Sequence, residues 1–375
     1  MLFLTLDTFS KTGGIQKVCR TLAYTLSTIT KSTSGNISSF KMLSLYDKDT
    51  NENYVCEKQF KGFYGSKIPF LFSAVFNGVR FKTVLVSHIN LIIIGVFIKV
   101  IRRKTQVIML AHGIEVWRKM PRWKQWFIQK HVKIWSVSNY TAQILEYKHH
   151  INRASIEVLN NALDPFFSIP HQFEKPQHLL ERYRLHKNQP ILLSITRLSK
   201  HETEKGYNKI IELFPQLINE FPNLHYFLCG KSDVEEKYRL EQLIEKEKLQ
   251  QHISLIDFIP DQELVAHYLL ADTFILPSKK EGFGLVFIEA AVCGCKIISG
   301  NIDGSTDAML NGELGRMVNP DKPEEIKEAI IKSLNQQHNL QTALSIQKKC
   351  LANFSHQKHL QRTQNLLIKT DNHAK

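Results

Sequence analysis

Glu281 and Glu289 stand within PSKKEGFGLVFIE (Pro277 to Glu289), with Gly282 and Gly284 between them. The two glycines permit a ligand to approach the backbone closely. The residues that follow read as the start of a helix, whose free N–H groups and positive dipole end favour an anion or a sugar hydroxyl. Glu281 then sits at the helix mouth and Glu289 one to two turns further on. Two carboxylates held in this way can accept hydrogen bonds from polyols such as a hexose ring and a ribose. A capping glutamate plus a solvated one would share the spacing. The glycines, the preceding strand FILPS and the apolar helix face favour a site.

A second pair is cationic. Arg197 follows an apolar run and Lys205, with Gly206, precedes an amphipathic one. Both therefore fall at the carboxyl edge of a sheet, where a diphosphate leaving group could be clamped, no metal motif being evident to neutralise it. Their alternative is two ordinary surface cations. Gly13 and Gly14 follow the first apolar strand; a glycine pair there either cradles a phosphate or makes a simple tight turn. It is not the dinucleotide fingerprint, since G-x-G-x-x-G is absent. His112, before Gly113, ends another strand and could donate to a sugar hydroxyl or to reacting oxygens. His88 is a weaker candidate of the same kind.

The elements that must carry these residues alternate. In the first half, Leu2–Leu6, Thr83–Ser87, Gln106–Ala111 and Lys133–Val137 read as strands, with helical patterns after Gly14, over Asn90–Ile101 and after the N-cap residue Ser138. The second half has strands at Ile191–Thr196, Leu224–Cys229, Ile253–Leu255, Thr273–Leu276 and Lys296–Ser299. Helices are expected at Gly206–Glu220, Val234–Leu249, Glu263–Ala271 and Gly284–Cys293. Such alternation implies parallel sheets covered on both faces. Pro165, Pro170, Pro176 and Pro190 mark the boundary region between two doubly wound α/β domains, taken as 1–170 and 171–352, with ligand sites at the carboxyl ends of the strands.

A chain of 375 residues is long enough for two such domains. Its six cysteines are scattered, which suits reduced, buried thiols of a cytosolic protein and completes no zinc site. The longest apolar run, Leu91–Ile98, is far short of the roughly 20 residues of a membrane span, and the N-terminus reads as a strand rather than a signal peptide. A soluble or peripheral protein is expected. The net charge of +14 is one-sided: residues 1–175 hold 24 Lys and Arg against 10 Asp and Glu, and the remainder is balanced. The first half therefore suits an anionic surface. Trp117, Trp123 and Trp126 interleave with Arg118, Lys119, Arg122 and Lys124, and Arg102–Lys104 add charge. That mixture fits a headgroup interface or, alternatively, a solvated basic face with Trp partly in the core.

Together the segment YLLADTFILPSKKEGFGLVFIEAAVCGCKIIS, the Arg197–Lys205 pair and the stretch Asn161-Ala162-Leu163-Asp164 resemble the retaining glycosyltransferases of family 4, with the GT-B fold. The resemblance implies two Rossmann-like domains facing across a cleft, the first on the acceptor side and the second binding a nucleotide-sugar. The resemblance also implies that a C-terminal helix, 353–375, crosses back to the first domain. By position it implies that Glu281 contacts the donor sugar and that the backbone at Gly282, Phe283, Gly284 and Leu285 holds sugar and phosphate. Glu289 would bind the ribose, and Arg197 and Lys205 the diphosphate. Gly13 and Gly14 would line the phosphate side, and His112 would meet the transferred sugar. Gly230 would lie near the nucleotide and Phe258, in Asp257–Ile259, beside the base. Three positions depart from the family pattern: Ala162 for glycine, Lys296 for proline and Asp307 for glutamate.

The implied reaction is transfer of a sugar from a UDP-sugar or GDP-mannose to a hydroxyl of a glycan or lipid-linked acceptor, with retention. The expected setting is cell-surface polysaccharide or lipopolysaccharide synthesis at the cytoplasmic side of a membrane, with no cofactor or metal. A sugar-nucleotide epimerase could share the architecture. A nicotinamide-dependent oxidoreductase lacks its glycine fingerprint, and a nucleic-acid binder its recognition motif, so no nucleic-acid partner is expected.

Overall fold

The computed structural model describes residues 1–31, 39–337 and 339–372. Two units divide it: Met1–Phe166 with Phe354–Lys375, and Phe167–Asn353. The first unit runs β1 (Leu2–Thr5), α1 (Gly14–Lys31), β2 (Lys41–Ser44), β3 (Phe60–Gly62), α2 (Lys67–Gly78), β4 (Thr83–Val86) and α3 (Ile92–Ile101). It continues through β5 (Gln106–Ala111), α4 (Ile114–Trp117), α5 (Arg122–His131), β6 (Val132–Ser136), α6 (Asn139–His149) and β7 (Ile156–Val158). The second runs α7 (Gln177–Tyr183), β8 (Ile191–Ile195), α8 (Tyr207–Glu220), β9 (His225–Cys229), α9 (Val234–Lys246), β10 (Ile253–Ile256) and α10 (Asp261–Leu270). It continues through β11 (Thr273–Leu276), α11 (Leu285–Val292), β12 (Lys296–Gly300), α12 (Ser305–Ala308), β13 (Arg316–Val318), α13 (Pro323–Asn335) and α14 (Leu340–Phe354). The closing helix α15 (His356–Asn372) belongs to the first unit.

Both sheets are wholly parallel. Their orders are β3-β2-β1-β4-β5-β6-β7 and β10-β9-β8-β11-β12-β13. Each is a doubly wound sheet in which the chain reverses direction once, between β1 and β4 and between β8 and β11. Ligands of such sheets bind outside the carboxyl ends of the strands at that reversal.

The strands read as continuous apolar runs because both faces are covered. Along β1, Leu2 and Leu4 pack with Phe70 of α2, Ile98 of α3 and Phe127 of α5. Met1 and Phe3 pack on the other face with Leu22 and Leu26 of α1 and Leu366 and Leu367 of α15. The α1–α15 contact also buries polar groups. Thr25 Oγ1 lies 3.1 Å from His356 Nε2 and 3.2 Å from His359 Nδ1. Burial pushes the His359 imidazole down to about 3, so the ring is neutral there.

The short strands β2, β3, β7 and β13 are recruited by pairing, and the helix α2, apolar on its buried and its exposed side alike, lacks the polar face that marks a surface helix. All six cysteines are free. Five are buried, but Cys56, expected to be buried, is half-exposed, because it caps the single turn before β3 rather than entering a core. Among the described residues, no helix is long and apolar enough to cross a membrane.

Candidate active site

In the second unit the loops after β8 and β11 meet at the strand-order reversal. Lys279 N–H donates to the Glu204 carbonyl at 2.9 Å, and Lys280 Nζ reaches the Glu204 carboxylate at 2.6 Å. Gly206 has φ +85°, and a Cβ there would stand 2.3 Å from the Pro277 carbonyl oxygen. The glycine is thus required by the close approach of the two loops.

Across this junction Lys205 Nζ donates to Glu281 Oε1 at 2.5 Å. Both side chains are nearly closed off from solvent, 11% and 15% exposed. Burial works against the lysine's charge, but the Glu281 carboxylate outweighs it, and the ammonium is held above its usual range. Lys205 thus faces Glu281 in this structure, with one of the ammonium's three donors used by the pair. Arg197 is the open one. Its side chain is 65% exposed and stands 3.8 Å from Glu202, a loose surface contact.

A residue that the sequence reasoning missed underlies the pair. Asp303, after β12, is fully buried. Its Oδ2 accepts the backbone N–H of Glu281 at 2.7 Å, and its Oδ1 accepts the Ser305 N–H at 3.0 Å and the Ser305 hydroxyl at 2.5 Å. Gly304 N–H donates to the Glu281 carbonyl at 2.8 Å. Burial raises the Asp303 carboxyl to about 6. Asp303-Gly304-Ser305 after an apolar strand is a turn signal of the kind in which aspartate bonds the backbone two residues on. That signal was available in the sequence, but not its target.

Beyond Glu281 the chain passes Gly282 and the buried Phe283 to Gly284, which caps α11 with φ +87°. Leu285 is the first helical residue. The first-turn N–H groups of an α-helix have no partner within it. Glu289, inside α11, is buried and accepts the Tyr268 hydroxyl at 3.0 Å. Gly230 ends β9 with φ +147°, and a Cβ would fall 1.6 Å from the Thr196 carbonyl oxygen; contact between neighbouring strand ends is enough to require this glycine. Phe258 is exposed just past β10, while Asp257 is tied to Ser232 and Lys237, each at 2.8 Å.

One of the three departures from the family pattern has a local explanation. Lys296 Nζ reaches the carbonyls of Ser333 and, at 2.9 Å, Gln336, so it satisfies the C-terminal end of α13. Ala162 is buried in the first unit. Asp307 lies in the short helix α12.

In the first unit, the loop after β1 is organised by Asp47. Its carboxylate accepts the N–H groups of Thr8 (2.8 Å), Phe9 (3.0 Å) and Ser10 (2.7 Å) and the Ser44 hydroxyl (2.6 Å). The loop delivers Gly13 and Gly14 exposed at the start of α1. A Cβ on Gly14 would meet nothing within 4 Å, and one on Gly13 only the end of the Gln16 side chain. Packing does not demand glycine at position 14.

His112 ends β5, buried. Its Nε2 lies 2.8 Å from the Ser87 carbonyl, which can only accept, so the proton is assigned to Nε2. His112 Nδ1 is then an acceptor; it is buried and has no partner. The Nε2 donor is thus used within the first unit. Glu115, also missed from sequence, holds the N–H groups of His112 (2.6 Å) and Gly113 (3.3 Å). His88 is lowered below its usual range by burial. Of the interleaved indoles, Trp117 is buried and Trp123 and Trp126 are exposed. Among the described residues, no three His, Cys, Asp or Glu side chains group as metal ligands would.

Two Rossmann-like parallel sheets and a second-unit site at the strand-order reversal define a protein of the GT-B class. Residues 177–349 match the family model of the glycosyl transferases group 1. A GDP-mannose-dependent alpha-(1-6)-phosphatidylinositol monomannoside mannosyltransferase of Mycolicibacterium smegmatis is 27% identical over 157 residues, 40% of each chain. An alpha-monoglucosyldiacylglycerol synthase of Acholeplasma laidlawii is 27% identical over 170 residues, 45% of this chain and 41% of that one. The matches thus span less than half of these relatives. The solved structure of Anabaena HepE in complex with UDP superposes over 98% of this chain and 99% of its own, with a TM-score of 0.76 and 16% identity.

Proposed function

We propose that the protein is a retaining hexosyltransferase that moves a sugar from a nucleotide-diphosphate sugar to a hydroxyl of a glycan or lipid-linked acceptor in cell-surface polysaccharide or lipopolysaccharide synthesis. The observation that carries the reading is the buried Lys205–Glu281 pair, braced by Asp303 beside the N-terminus of α11 at the strand-order reversal. Fixing Glu281 by both its side chain and its backbone presents a carboxylate to sugar hydroxyls without reorganisation, as a preorganised site requires. The N-terminal end of α11 suits the phosphates. Arg197, loosely held, closes on the diphosphate when the donor binds, and Lys205 acts chiefly by fixing Glu281. Phe258 offers a face to the base and Glu289 a carboxylate to the ribose.

In the reaction the bond between the sugar's anomeric carbon and the diphosphate oxygen breaks, with its electron pair going to phosphate. The acceptor oxygen bonds to the anomeric carbon from the same face, and its proton passes to the departing phosphate. Glycoside and nucleoside diphosphate result.

The donor is open between two classes, since HepE has also been solved with UDP-glucose and the mycobacterial relative is named for GDP-mannose. The test is a melting panel with UDP, GDP, UDP-glucose and GDP-mannose, followed by assay of donor hydrolysis and transfer. One nucleotide class should raise the melting point, because binding to the folded state stabilises it. Arg197→Ala should lower turnover by about 100-fold without changing the melting point of the free protein. No shift with any nucleotide, or wild-type turnover in Arg197→Ala, would count against the reading. An isomerised nucleotide-sugar formed without acceptor would identify an epimerase instead.

A further inference from the structure

We infer that the outer face of α2, α3 and α5 is a docking surface for an anionic lipid bilayer, on which the first unit lies with these helices parallel to the membrane plane. The inference deepens the lipid-linked-acceptor reading above and rests on it for its purpose, but not for its geometry.

The three helices occupy one face of the first sheet. Phe70 and Ala74 of α2, Ile98 of α3 and Phe127 and Ile128 of α5 enter the same core cluster. Gly78 of α2 meets Ile98, and Gly95 of α3 meets Phe127, so the helices lie side by side. Their remaining faces point away from the sheet, and they are apolar where a surface helix is ordinarily polar. On α2, Ile68, Phe72 and Phe76 recur every fourth residue and are exposed, Phe72 to 72%. On α3, Ile93, Phe97, Val100 and Ile101 form a matching stripe, with Val100 76% exposed. On α5, Trp123 and Trp126 are exposed, Trp126 to 58%. Single exposed apolar residues need no explanation, but three adjacent stripes form a patch that marks an interaction site.

Charge selects the occupant. Residues 67–131 contain twelve Lys and Arg and one carboxylate, Glu115. That carboxylate is turned to the backbone of His112 and Gly113. The cations flank the stripes. Arg80 lies 3.5 Å from the centroid of the Phe76 ring, and Lys124 Nζ lies 5.7 Å from that of Trp123. Arg103 and Lys104 follow α3, and Lys130 lies near the end of α5. The first unit as a whole holds 27 Lys and Arg against 10 Asp and Glu, and the second 22 against 25. A second copy presenting the same face would set cation against cation. An anionic bilayer accepts both components, with Phe and Ile entering the acyl boundary, Trp at headgroup depth and Lys and Arg on lipid phosphates.

The experiment uses the full chain with vesicles of phosphatidylcholine alone and with about a third phosphatidylglycerol. Co-sedimentation should occur with the anionic vesicles and fall by about tenfold or more without the anionic lipid, and tryptophan emission should shift to the blue on binding. The double substitution Phe72→Ser with Phe97→Ser should weaken binding to anionic vesicles by about tenfold. It should leave the melting point and donor hydrolysis unchanged, since neither side chain enters the core or the donor site. A wild-type protein that stays in the supernatant with anionic vesicles overturns the inference, and so does wild-type vesicle binding by the double variant. A concentration-dependent dimer that the same substitutions abolish, without vesicle binding, assigns the face to a second copy and also overturns it. Vesicle binding needs no donor and donor hydrolysis needs no vesicle, so failure of one is distinguishable from failure of the other.

Discussion

Replacing Lys205 by methionine keeps most of the side-chain volume and removes the charge that Glu281 faces. The carboxylate is then left 15% exposed, with its backbone N–H on the buried Asp303 carboxylate. Breaking a fully buried pair from one side costs about 3–5 kcal/mol. The residual exposure of both groups admits some water and reduces this to about 2–4 kcal/mol for Lys205→Met at neutral pH. In Glu281→Gln the amide oxygen still accepts from the ammonium, so the cost should be about 1–2 kcal/mol. Once Glu281 is Gln, Lys205→Met should cost only about 1 kcal/mol more, giving a coupling of about 2 kcal/mol in a double-mutant cycle. The readout can be assigned to the right unit, because all four tryptophans lie in the first. A urea transition seen by circular dichroism and silent in tryptophan emission reports the second unit. For a unit of this size the Lys205→Met loss corresponds to a fall of roughly 5–15 °C in its midpoint. Donor turnover should fall in both single variants, since Glu281 loses its fixed position. A Lys205→Met protein within about 0.5 kcal/mol of wild type, with no coupling to Glu281→Gln, would refute the reasoning.

Two glycines should respond in opposite ways. Gly14→Ala meets open space and should gain about 0.4–1 kcal/mol of stability; a fall in the first unit's melting point would contradict the open geometry. Gly230→Ala, forced against the Thr196 carbonyl at positive φ, should cost roughly 3 kcal/mol or more, and a wild-type melt would contradict the strand-end geometry. The Asp303 carboxyl, raised by burial to about 6, favours the proton in the folded state. Its contribution to stability is therefore full below about pH 4 and is lost as pH rises through 6, a change of about 3 kcal/mol. Asp303→Asn should flatten that slope between pH 4 and 6, and an equal slope in the variant would show that another group is responsible.

The alternation of apolar runs in this sequence specifies parallel strands and covering helices, because a strand buried on both faces has no polar positions to spare. The longer strands, such as Gln106–Ala111 and Ile191–Ile195, stand within a residue or two of where the runs place them. The strands β2, β3 and β13 are legible only from the neighbours they pair with, since their few residues mix apolar with charged or polar ones. At the site, the positions of Arg197, Lys205 and Glu281 at the ends of strands follow from the runs that precede them. Their partners do not. Lys205 and Glu281 are 76 residues apart, and Asp303 reaches them from a third strand.

By itself, the sequence determined which residues lie at the strand ends and that the positive charge belongs to the first half. Both are local consequences of where apolar and charged residues fall along the chain. Only the tertiary structure decided that Lys205 serves Glu281 rather than standing free, and that His112 has committed its donor nitrogen to Ser87. The same is true of the Phe and Ile residues of α2 and α3, which share one outward face with Trp123 and Trp126. Pairing and facing depend on which loops the sheet order brings together and on which side of the sheet each helix packs, and those distances are set by the fold as a whole.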